Sequence, residues 1–267
     1  MENRSSFYKR IVKQTITSKT SSVLVCGAGT LDKNVFYDLG FKDVTISNLD
    51  SRANPEDFHP FKWSFQNAEY LSVEDNSFDY VVIHAAIHHA SLPHKVLTEM
   101  YRVSKKGVLA FESRDSLLMR FLERFQLTQT YETAAVYYND CKYAGVNNTE
   151  IPNFVFRWTE REIEKTIQVY APYFEHRYIY NYGTAFPAGP SLERNGRLKI
   201  IFLNSLRGFY WAFSKIFKKQ QNLFSFFIEK PQKSDVLFPW LSYNEATDTV
   251  VFNREWGDRK YKKSKSD

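Results

Sequence analysis

Short apolar runs alternate with segments of helical spacing along the first half of the chain. The run Val23–Cys26 is typical of a strand buried on both faces of a parallel sheet. Residues 31–39 then carry apolar side chains at helical spacing, and Gly40 is a suitable helix end. Because strands that alternate with helices are joined by right-handed crossovers, the pattern predicts an α/β fold. Further strands are predicted at 44–47, 61–65, 78–84 and 108–112, and helices at 5–19, 93–103 and 116–126.

A glycine turn, Gly27-Ala28-Gly29, directly follows the first predicted strand. Glycine permits a sharp turn and lets a ligand approach the backbone without an intervening side chain. The second strand ends in the polar stretch 48–50, so the unit suits a nucleoside cofactor, with polar groups on its ribose. The third small residue of a dinucleotide fingerprint is replaced by Asp32, and the Gly-Lys-Ser/Thr of a P-loop is absent.

Several motifs then follow in a fixed order, and together they resemble a known family. They are Cys26-Gly27-Ala28-Gly29, Asn67-Ala68-Glu69, Asp75-Asn76-Ser77-Phe78-Asp79, Ile87-His88-His89, and a helix with Glu99, Arg102 and Val103 before Lys105 and Gly107. This order, over about 20–114, resembles the class I S-adenosylmethionine-dependent methyltransferases, in particular type 11. The resemblance implies a Rossmann-like sheet of seven strands with the last pair antiparallel, S-adenosylmethionine as cofactor, and methyl transfer as the reaction.

The resemblance also implies the cofactor-binding residues. Two positions depart from the family, which usually has an acidic residue where Asn48 and Asn67 stand here. Asn48 and Asp50 share a strand face, so either could reach the ribose hydroxyls, and the amide of Asn67 can still accept from the adenine amino group. The expected cofactor-binding residues are Cys26, Gly27, Ala28, Gly29, Asn48, Leu49, Asp50, Asn67, Ala68, Glu69 and His84.

Three residues are candidates for catalysis. His88 and His89 are candidate general bases because imidazole titrates near neutral pH, although the pair also recurs in the family as a turn element. Glu112, at the end of the fifth strand, is the third. No metal is predicted, since the histidines at 84, 88, 89 and 94 lack a carboxylate or thiolate at ligand spacing. The lid residues Tyr137, Tyr138, Asn153 and Arg157 are predicted either to line the acceptor site or to pack the lid on the core.

The second half of the chain is organised around the family's final antiparallel pair. Strands six and seven are assigned to 174–182 and 247–253, which makes 183–246 a helical, aromatic-rich and basic insertion. The methyltransferase domain is then 1–182 plus 247–258, with a lid at 115–157 and a disordered tail at 259–267. A capping box at Thr159 and Glu162 opens a helix that ends near Tyr170.

Charge is concentrated in the last quarter of the chain. The formal charge is +6, and residues 191–267 alone carry 15 Lys and Arg against 8 Asp and Glu. This asymmetry indicates an anionic partner or simply a solvated basic face. An amphipathic stretch at 199–230 therefore has two interpretations: a helix on an anionic membrane, or a cap on the core or a second subunit. The oligomeric state is left open.

The predicted function is methyl transfer to a small-molecule acceptor, for which a sugar, glycolipid or lipid-linked compound is expected. The alternatives are an RNA methyltransferase that uses the basic C-terminal region, and a cofactor-binding scaffold without catalysis. Against nucleic acid, the fourth strand is not followed by an Asn-Pro-Pro-Tyr-type motif. Two cysteines, no apolar leader and no run of about 20 apolar residues favour a cytoplasmic protein, with peripheral attachment to the inner face of the membrane as a further option.

Overall fold

A seven-stranded sheet forms the centre of the computed structural model, which describes residues 3–185, 205, 207–232 and 237–262. The spatial order is β3-β2-β1-β4-β5-β7-β6. The first five strands in this order are parallel, and β7 runs antiparallel to both β5 and β6. The strands are β1 (Val23–Cys26), β2 (Val44–Asn48), β3 (Lys62–Phe65), β4 (Phe78–His84), β5 (Ser104–Glu112), β6 (Arg177–Gly183) and β7 (Leu223–Glu229).

Helices cover both faces of this sheet. Along β1, Val23 and Val25 belong to one core cluster and Leu24 and Cys26 to the other, which explains why the strand is apolar throughout. The helices α1 and α2 pack on the first cluster, and α3 and α6 on the second. The described helices are α1 (Arg4–Thr15), α2 (Thr30–Asp38), α3 (Pro93–Val103), α4 (Leu117–Arg124), α5 (Thr133–Tyr137), α6 (Glu160–Tyr170), α7 (Arg207–Ile216) and α8 (Arg254–Tyr261).

The strand order reverses between β1 and β4. Chain connections leave these two neighbours in opposite directions along the sheet, toward β2 from β1 and toward β5 from β4. In open α/β sheets, ligands bind in the crevice that forms beyond the carboxyl ends of the strands at such a point. The turns that follow β1 and β4 are therefore where a site is expected.

The predicted position of strand seven is wrong. Thr249–Phe252 (β9) pairs with Leu241–Asn244 (β8) in a separate two-stranded hairpin, whereas Leu223–Glu229 inserts between β5 and β6. The predicted helix 199–230 wrongly included β7, since the apolar residues at helical spacing on which it rested, 202–217, all precede that strand. Within that stretch the described helix is α7. Six residues of β7 are buried and none of β9 is, so burial decides which segment enters the sheet. Residues 199–204 and 206 of the predicted helix lie outside the described residues.

The end of the chain also differs from the expectation. Residues 259–261 of the predicted disordered tail belong to α8, whose first turn is capped by Asn253 through Trp256 N. Residues 263–267 of that tail lie outside the described residues. Among the residues that the structure describes, no helix combines the length and the apolar character that crossing a bilayer requires.

Candidate functional site

The turn between β1 and α2 contains two glycines with different roles. Gly27 has φ +57°, and a Cβ there would lie 2.5 Å from the Cβ of Ala86, which follows β4. Gly27 thus lets two loops approach each other closely. At Gly29 the backbone is extended, and a Cβ would meet no atom within 4 Å. Open space therefore adjoins the backbone of Gly29, where α2 begins.

A cavity of about 280 Å³ lies beyond the ends of β1, β2 and β4. Six of the predicted cofactor residues line it: Gly27, Asn48, Leu49, Asp50, Asn67 and Ala68. The remaining lining residues are Arg52, Gln66, Ile83, Ala85, Ala86, His89, Ala90, Asn139, Ala144, Gly145, Asn147 and Asn148. This larger cavity therefore lies where the sequence places a nucleoside.

The side-chain amide of Asn48 makes two hydrogen bonds, one as donor and one as acceptor. Its Nδ2 donates to the carbonyl of Ala28 at 2.9 Å, and its Oδ1 accepts from Asp50 N at 3.2 Å. The carboxylate of Asp50 in turn accepts from Arg52 through Nε and Nη2, and Arg52 holds the pKa of Asp50 below its ordinary value. Asn48 thus joins the glycine turn to the end of β2 and sets the direction of Asp50.

A segment rich in asparagine closes the other side of the larger cavity. Asn148 Nδ2 donates to the carbonyl of Leu49 at 3.4 Å, and Asn147 Nδ2 donates to Ser91 Oγ at 2.8 Å. The guanidinium of Arg52 lies 3.9 Å from the ring centroid of Tyr143. The sequence prediction missed these residues, because a polar lid without a motif gives no signal of which side chains face inward.

A second, smaller cavity of about 130 Å³ adjoins the first. The two cavities share Ala85 and His89 as lining residues, and the backbone of Ala85 has φ +51°. This smaller cavity is lined by Arg4, Phe7, His84, Ala85, His88, His89, Phe111, Glu112, Ser113, Glu132, Val155, Asn222, Leu223 and Phe224. All three predicted catalytic residues are in this set.

Two histidines and two glutamates form a cluster in the smaller cavity. His88 Nδ1 donates to Glu112 Oε2 at 2.6 Å, and His88 Nε2 lies 3.6 Å from Glu132 Oε2. His89 Nε2 lies 3.2 Å from the same oxygen of Glu132. The second oxygen of Glu112 accepts from the backbone N–H groups of residues 86 and 87, so this carboxylate fixes the turn after β4. Glu132, at the start of α5, was missed because nothing near it in the sequence marks it as part of a site.

Burial and nearby charges shift the pKa values of His88 and His89 in opposite directions. Burial lowers the pKa of His88, but the charges and hydrogen bonds of Glu112 and Glu132 outweigh it and raise the pKa to about 10. Burial would raise the pKa of Glu132, but the hydrogen bond and charge of His88 lower it to about 2. Burial, aided by the charge of His88, lowers the pKa of His89. At neutral pH His88 is therefore a cation that donates to carboxylates, and His89 is neutral.

Comparison with known proteins supplies the family. Residues 26–111 match the family model described as "Methyltransferase domain", of type 11. This span is a methyltransferase domain. The matched span runs from the end of β1 to β5 and includes both turns of the site, and S-adenosylmethionine is the cofactor of this family. No curated protein matches the chain.

Solved methyltransferase structures resemble the chain at low identity. One from Thermotoga maritima is 16% identical with a TM-score of 0.46, covering 84% of this chain and 87% of its own. One from Archaeoglobus fulgidus is 12% identical with a TM-score of 0.49, covering 85% and 95%. A phosphoethanolamine N-methyltransferase of Haemonchus contortus, in complex with S-adenosylhomocysteine, is 16% identical with a TM-score of 0.47, covering 84% of this chain and 52% of its own.

The larger cavity of the methyltransferase fits its cofactor. The open space beside Gly29 leaves the backbone of the first turn accessible. Asp50 offers a carboxylate for hydroxyl groups, and the backbone and amide at Asn67 and Ala68 lie where the adenine is expected. The lid supplies further amides. These groups suit a ligand with an amino-acid end, a ribose and a purine.

Four other predicted cofactor residues do not line the larger cavity. Cys26 and Ala28 are about 1% exposed, and Glu69 is buried with Oε1 accepting from Ser91 Oγ and Leu92 N. His84 lines the smaller cavity instead of the larger one and stacks on Tyr8 at 4.3 Å. These placements leave their contact with the cofactor a prediction.

The four predicted substrate residues line neither of the two cavities described. Tyr137 and Tyr138 are exposed on α5 and at its end. Asn153 is buried and its Nδ2 donates to Glu132 at 3.4 Å, and Arg157 pairs with Glu123. Asn153 thus positions Glu132, which lines the smaller cavity. Arg157 instead joins the end of the lid to α4, near the start of the lid. Their roles toward the acceptor stay predictions.

Proposed function

We propose that the enzyme transfers the methyl group of S-adenosylmethionine to a small-molecule acceptor that binds in the smaller cavity. One observation carries this proposal: the two cavities meet at Ala85 and His89. Methyl transfer is an in-line displacement at a sulfonium carbon, so the acceptor must approach from a compartment beside the cofactor. The cofactor supplies an activated methyl group, and the protein orients the acceptor and excludes water.

The cofactor would lie along the larger cavity. Gly27 and Gly29 would face its amino-acid end. Asp50 is the better candidate for the ribose hydroxyls, because the amide of Asn48 is engaged at both ends, whereas the carboxylate of Asp50 can accept further hydrogen bonds besides those from Arg52. Asn67 and Ala68 would contact the adenine.

The smaller cavity suits the polar part of an acceptor. Arg4, His88 and Glu132 offer donors and acceptors of both charges around it, whereas Phe7 and Phe111 supply apolar walls. A ring that carries hydroxyl groups uses both kinds of surface, as sugars do on apolar and polar side chains. This composition supports a sugar or a similar hydroxylated head group.

An exposed apolar surface beside this cavity supports a lipid-linked acceptor. No residue of α4 is buried, and Leu117 and Phe121 are 73% and 55% exposed. On the neighbouring α7, Ile216 is 75% exposed, and Phe217 follows it. The turn Lys218–Gln220, which follows α7, contacts α4 where Leu118 N donates to Gln220 Oε1 at 2.9 Å.

Basic residues follow this apolar surface directly. Lys218 and Lys219 come after Phe217, and the chain then enters the wall of the smaller cavity at Asn222 and Leu223. Apolar side chains flanked by lysines bind the interface of an anionic bilayer. We infer that this surface, α4 with the end of α7 and residues 217–219, rests on an anionic membrane that holds the acceptor.

A cavity-filling variant tests the proposed acceptor site. Ser113→Leu places a larger side chain in the smaller cavity but leaves the larger one unchanged. We expect unchanged binding of S-adenosylhomocysteine and loss of labelled methyl transfer to a lipid extract. Unchanged transfer by Ser113→Leu would refute the acceptor site. Absence of transfer by the wild type, with normal cofactor binding, would support the scaffold alternative.

Sedimentation with vesicles tests the membrane surface. The double variant Phe121→Ser/Phe217→Ser should lose binding to vesicles that contain phosphatidylglycerol. Tyr37→Ser removes an aromatic side chain that is 60% exposed on α2, so it is the matched control and should bind like the wild type. Equal binding to neutral phosphatidylcholine vesicles, or equal losses in both variants, would contradict the proposal.

A further inference from the structure

We propose that His88, His89 and Glu132 form a binding site for a divalent transition-metal ion of the zinc type, with its open side toward the smaller cavity. One ring nitrogen of His88, one of His89 and an oxygen of Glu132 all lie within 4.8 Å of one another. Two imidazoles and one carboxylate with a vacant fourth position are a common ligand set of catalytic zinc. The claim concerns ion binding and stands apart from the proposed methyl transfer.

The distances match a tetrahedral ion. Zinc bonds of about 2.0–2.1 Å at the tetrahedral angle hold neighbouring ligand atoms about 3.3 Å apart. Glu132 Oε2 lies 3.2 Å from His89 Nε2 and 3.6 Å from His88 Nε2. Both distances to Glu132 therefore suit a shared ion, which would take the place of the proton that His88 Nε2 carries in the metal-free cluster.

Glu112 supplies the outer contact that metal-binding histidines normally have. Its Oε2 accepts from His88 Nδ1 at 2.6 Å, which leaves Nε2 directed at Glu132. A carboxylate behind a ligating imidazole fixes the ring orientation and strengthens the ligand. Asn153 plays a similar part for Glu132, since its Nδ2 donates to Glu132 Oε2 at 3.4 Å.

The fold, not the local sequence, completes this ligand set. The histidines follow β4, and Glu132 lies 43 positions after His89, at the start of α5. The expectation of no metal rested on the missing carboxylate near the histidines, and Glu132 provides one. The ligands are 7%, 30% and 24% exposed for His88, His89 and Glu132, so an ion would be partly shielded yet reachable from the smaller cavity. An acceptor oxygen in that cavity is the group that would face the ion.

Direct titration of the full chain tests the site. We would dialyse the protein against chelator and titrate it calorimetrically with Zn²⁺ and, for coordination geometry, with Co²⁺ by visible absorption. The wild type should bind one ion per chain, with the intense bands of four-coordinate Co²⁺. Glu132→Gln and His89→Ala should each weaken binding by about 100-fold, and Glu112→Gln by about 10- to 100-fold.

The chain offers a matched control. His94 Nε2 lies 3.2 Å from Glu162 Oε1, the same separation as His89 from Glu132, but within the described part of the chain no second histidine completes a site there. His94→Ala should therefore bind zinc like the wild type. The exposed Cys141 is present in every variant, so adventitious binding to its thiol is common to all. The urea midpoint of each variant reports that it is folded, independently of the metal and of the cofactor.

Three results would overturn the site. They are no zinc binding by the wild type, equal zinc binding by Glu132→Gln, and an equal loss in His94→Ala and His89→Ala. If S-adenosylhomocysteine fails to bind while zinc does, the proposed function is wrong and the metal site stands.

Discussion

Replacing Asn48 by aspartate restores the acidic residue that the family usually has, yet we expect it to damage this enzyme. The Nδ2 of Asn48 donates to the carbonyl of Ala28 at 2.9 Å. In Asn48→Asp an oxygen takes the place of that donor, so two acceptors face each other. The lost hydrogen bond costs about 1 kcal/mol, and the unsatisfied acceptors add about 1 kcal/mol or more.

The total cost of about 2 kcal/mol is divided between folding and cofactor binding. If the whole cost fell on binding, the affinity for the cofactor would fall about 30-fold. The assay is the calorimetric dissociation constant of S-adenosylhomocysteine, together with the urea midpoint. At pH 7.5 the dissociation constant should rise above the wild-type value, and the urea midpoint should fall below it. A protonated carboxyl can donate to Ala28, so the facing carbonyl raises the pKa of the introduced group. The deficit should therefore shrink as the pH falls toward 5.

The control is Asn48→Ala, which loses both hydrogen bonds without introducing a charge. Its deficit should not change between pH 7.5 and pH 5. Tighter binding by Asn48→Asp than by wild type at pH 7.5 would refute the reasoning, because the carboxylate would then serve the ribose as in the family.

Three further predictions concern stability in urea. Burial would raise the pKa of Glu160, but hydrogen bonds led by that from Arg114 lower it to about 2, so the pair stabilises the fold above the unfolded pKa of about 4.5. Glu160→Gln should therefore be less stable than wild type at pH 7. The difference in stability should shrink as the pH falls from 5 toward 2. Arg102→Met should lower the free energy of unfolding by about 2–3 kcal/mol, since it removes the guanidinium that donates to the nearly buried carboxylate of Glu99 and to the carbonyls of Leu71 and Val73. Gly27→Ala should cost about 1–2 kcal/mol or more, because φ is positive and the new methyl would meet Ala86. An unchanged urea midpoint in any of these variants would contradict the prediction made for it.

The sequence predicts the first half of the fold well. β1, β4 and α3 have the predicted boundaries or nearly so, because Val23–Cys26 is uniformly apolar and Pro93 marks a helix start. The order of the motifs also supplies the family, and the motifs that follow β1 and β4 form turns at the carboxyl edge of the sheet, where the cavities lie. Local pattern and tertiary role coincide there.

The second half shows where local pattern fails. Leu223–Glu229 and Thr249–Phe252 both have strand composition, and only burial between β5 and β6 distinguishes them. Glu132 likewise has no local signal, because its histidine partners lie more than 40 residues away. Asn48 has a correct location but an engaged side chain, and a sequence shows no hydrogen bonds.

Calorimetric titration with S-adenosylhomocysteine, on the wild type and on Gly29→Val, tests the central claim most directly. A Cβ at Gly29 meets no atom beyond its chain neighbours within 4 Å, so the substitution should leave the fold intact and obstruct only a ligand. Gly208→Val, at another open position on α7, is the matched control. The account predicts one molecule bound per chain by wild type and Gly208→Val, and none by Gly29→Val. No binding by the wild type, or equal binding by all three, would contradict it.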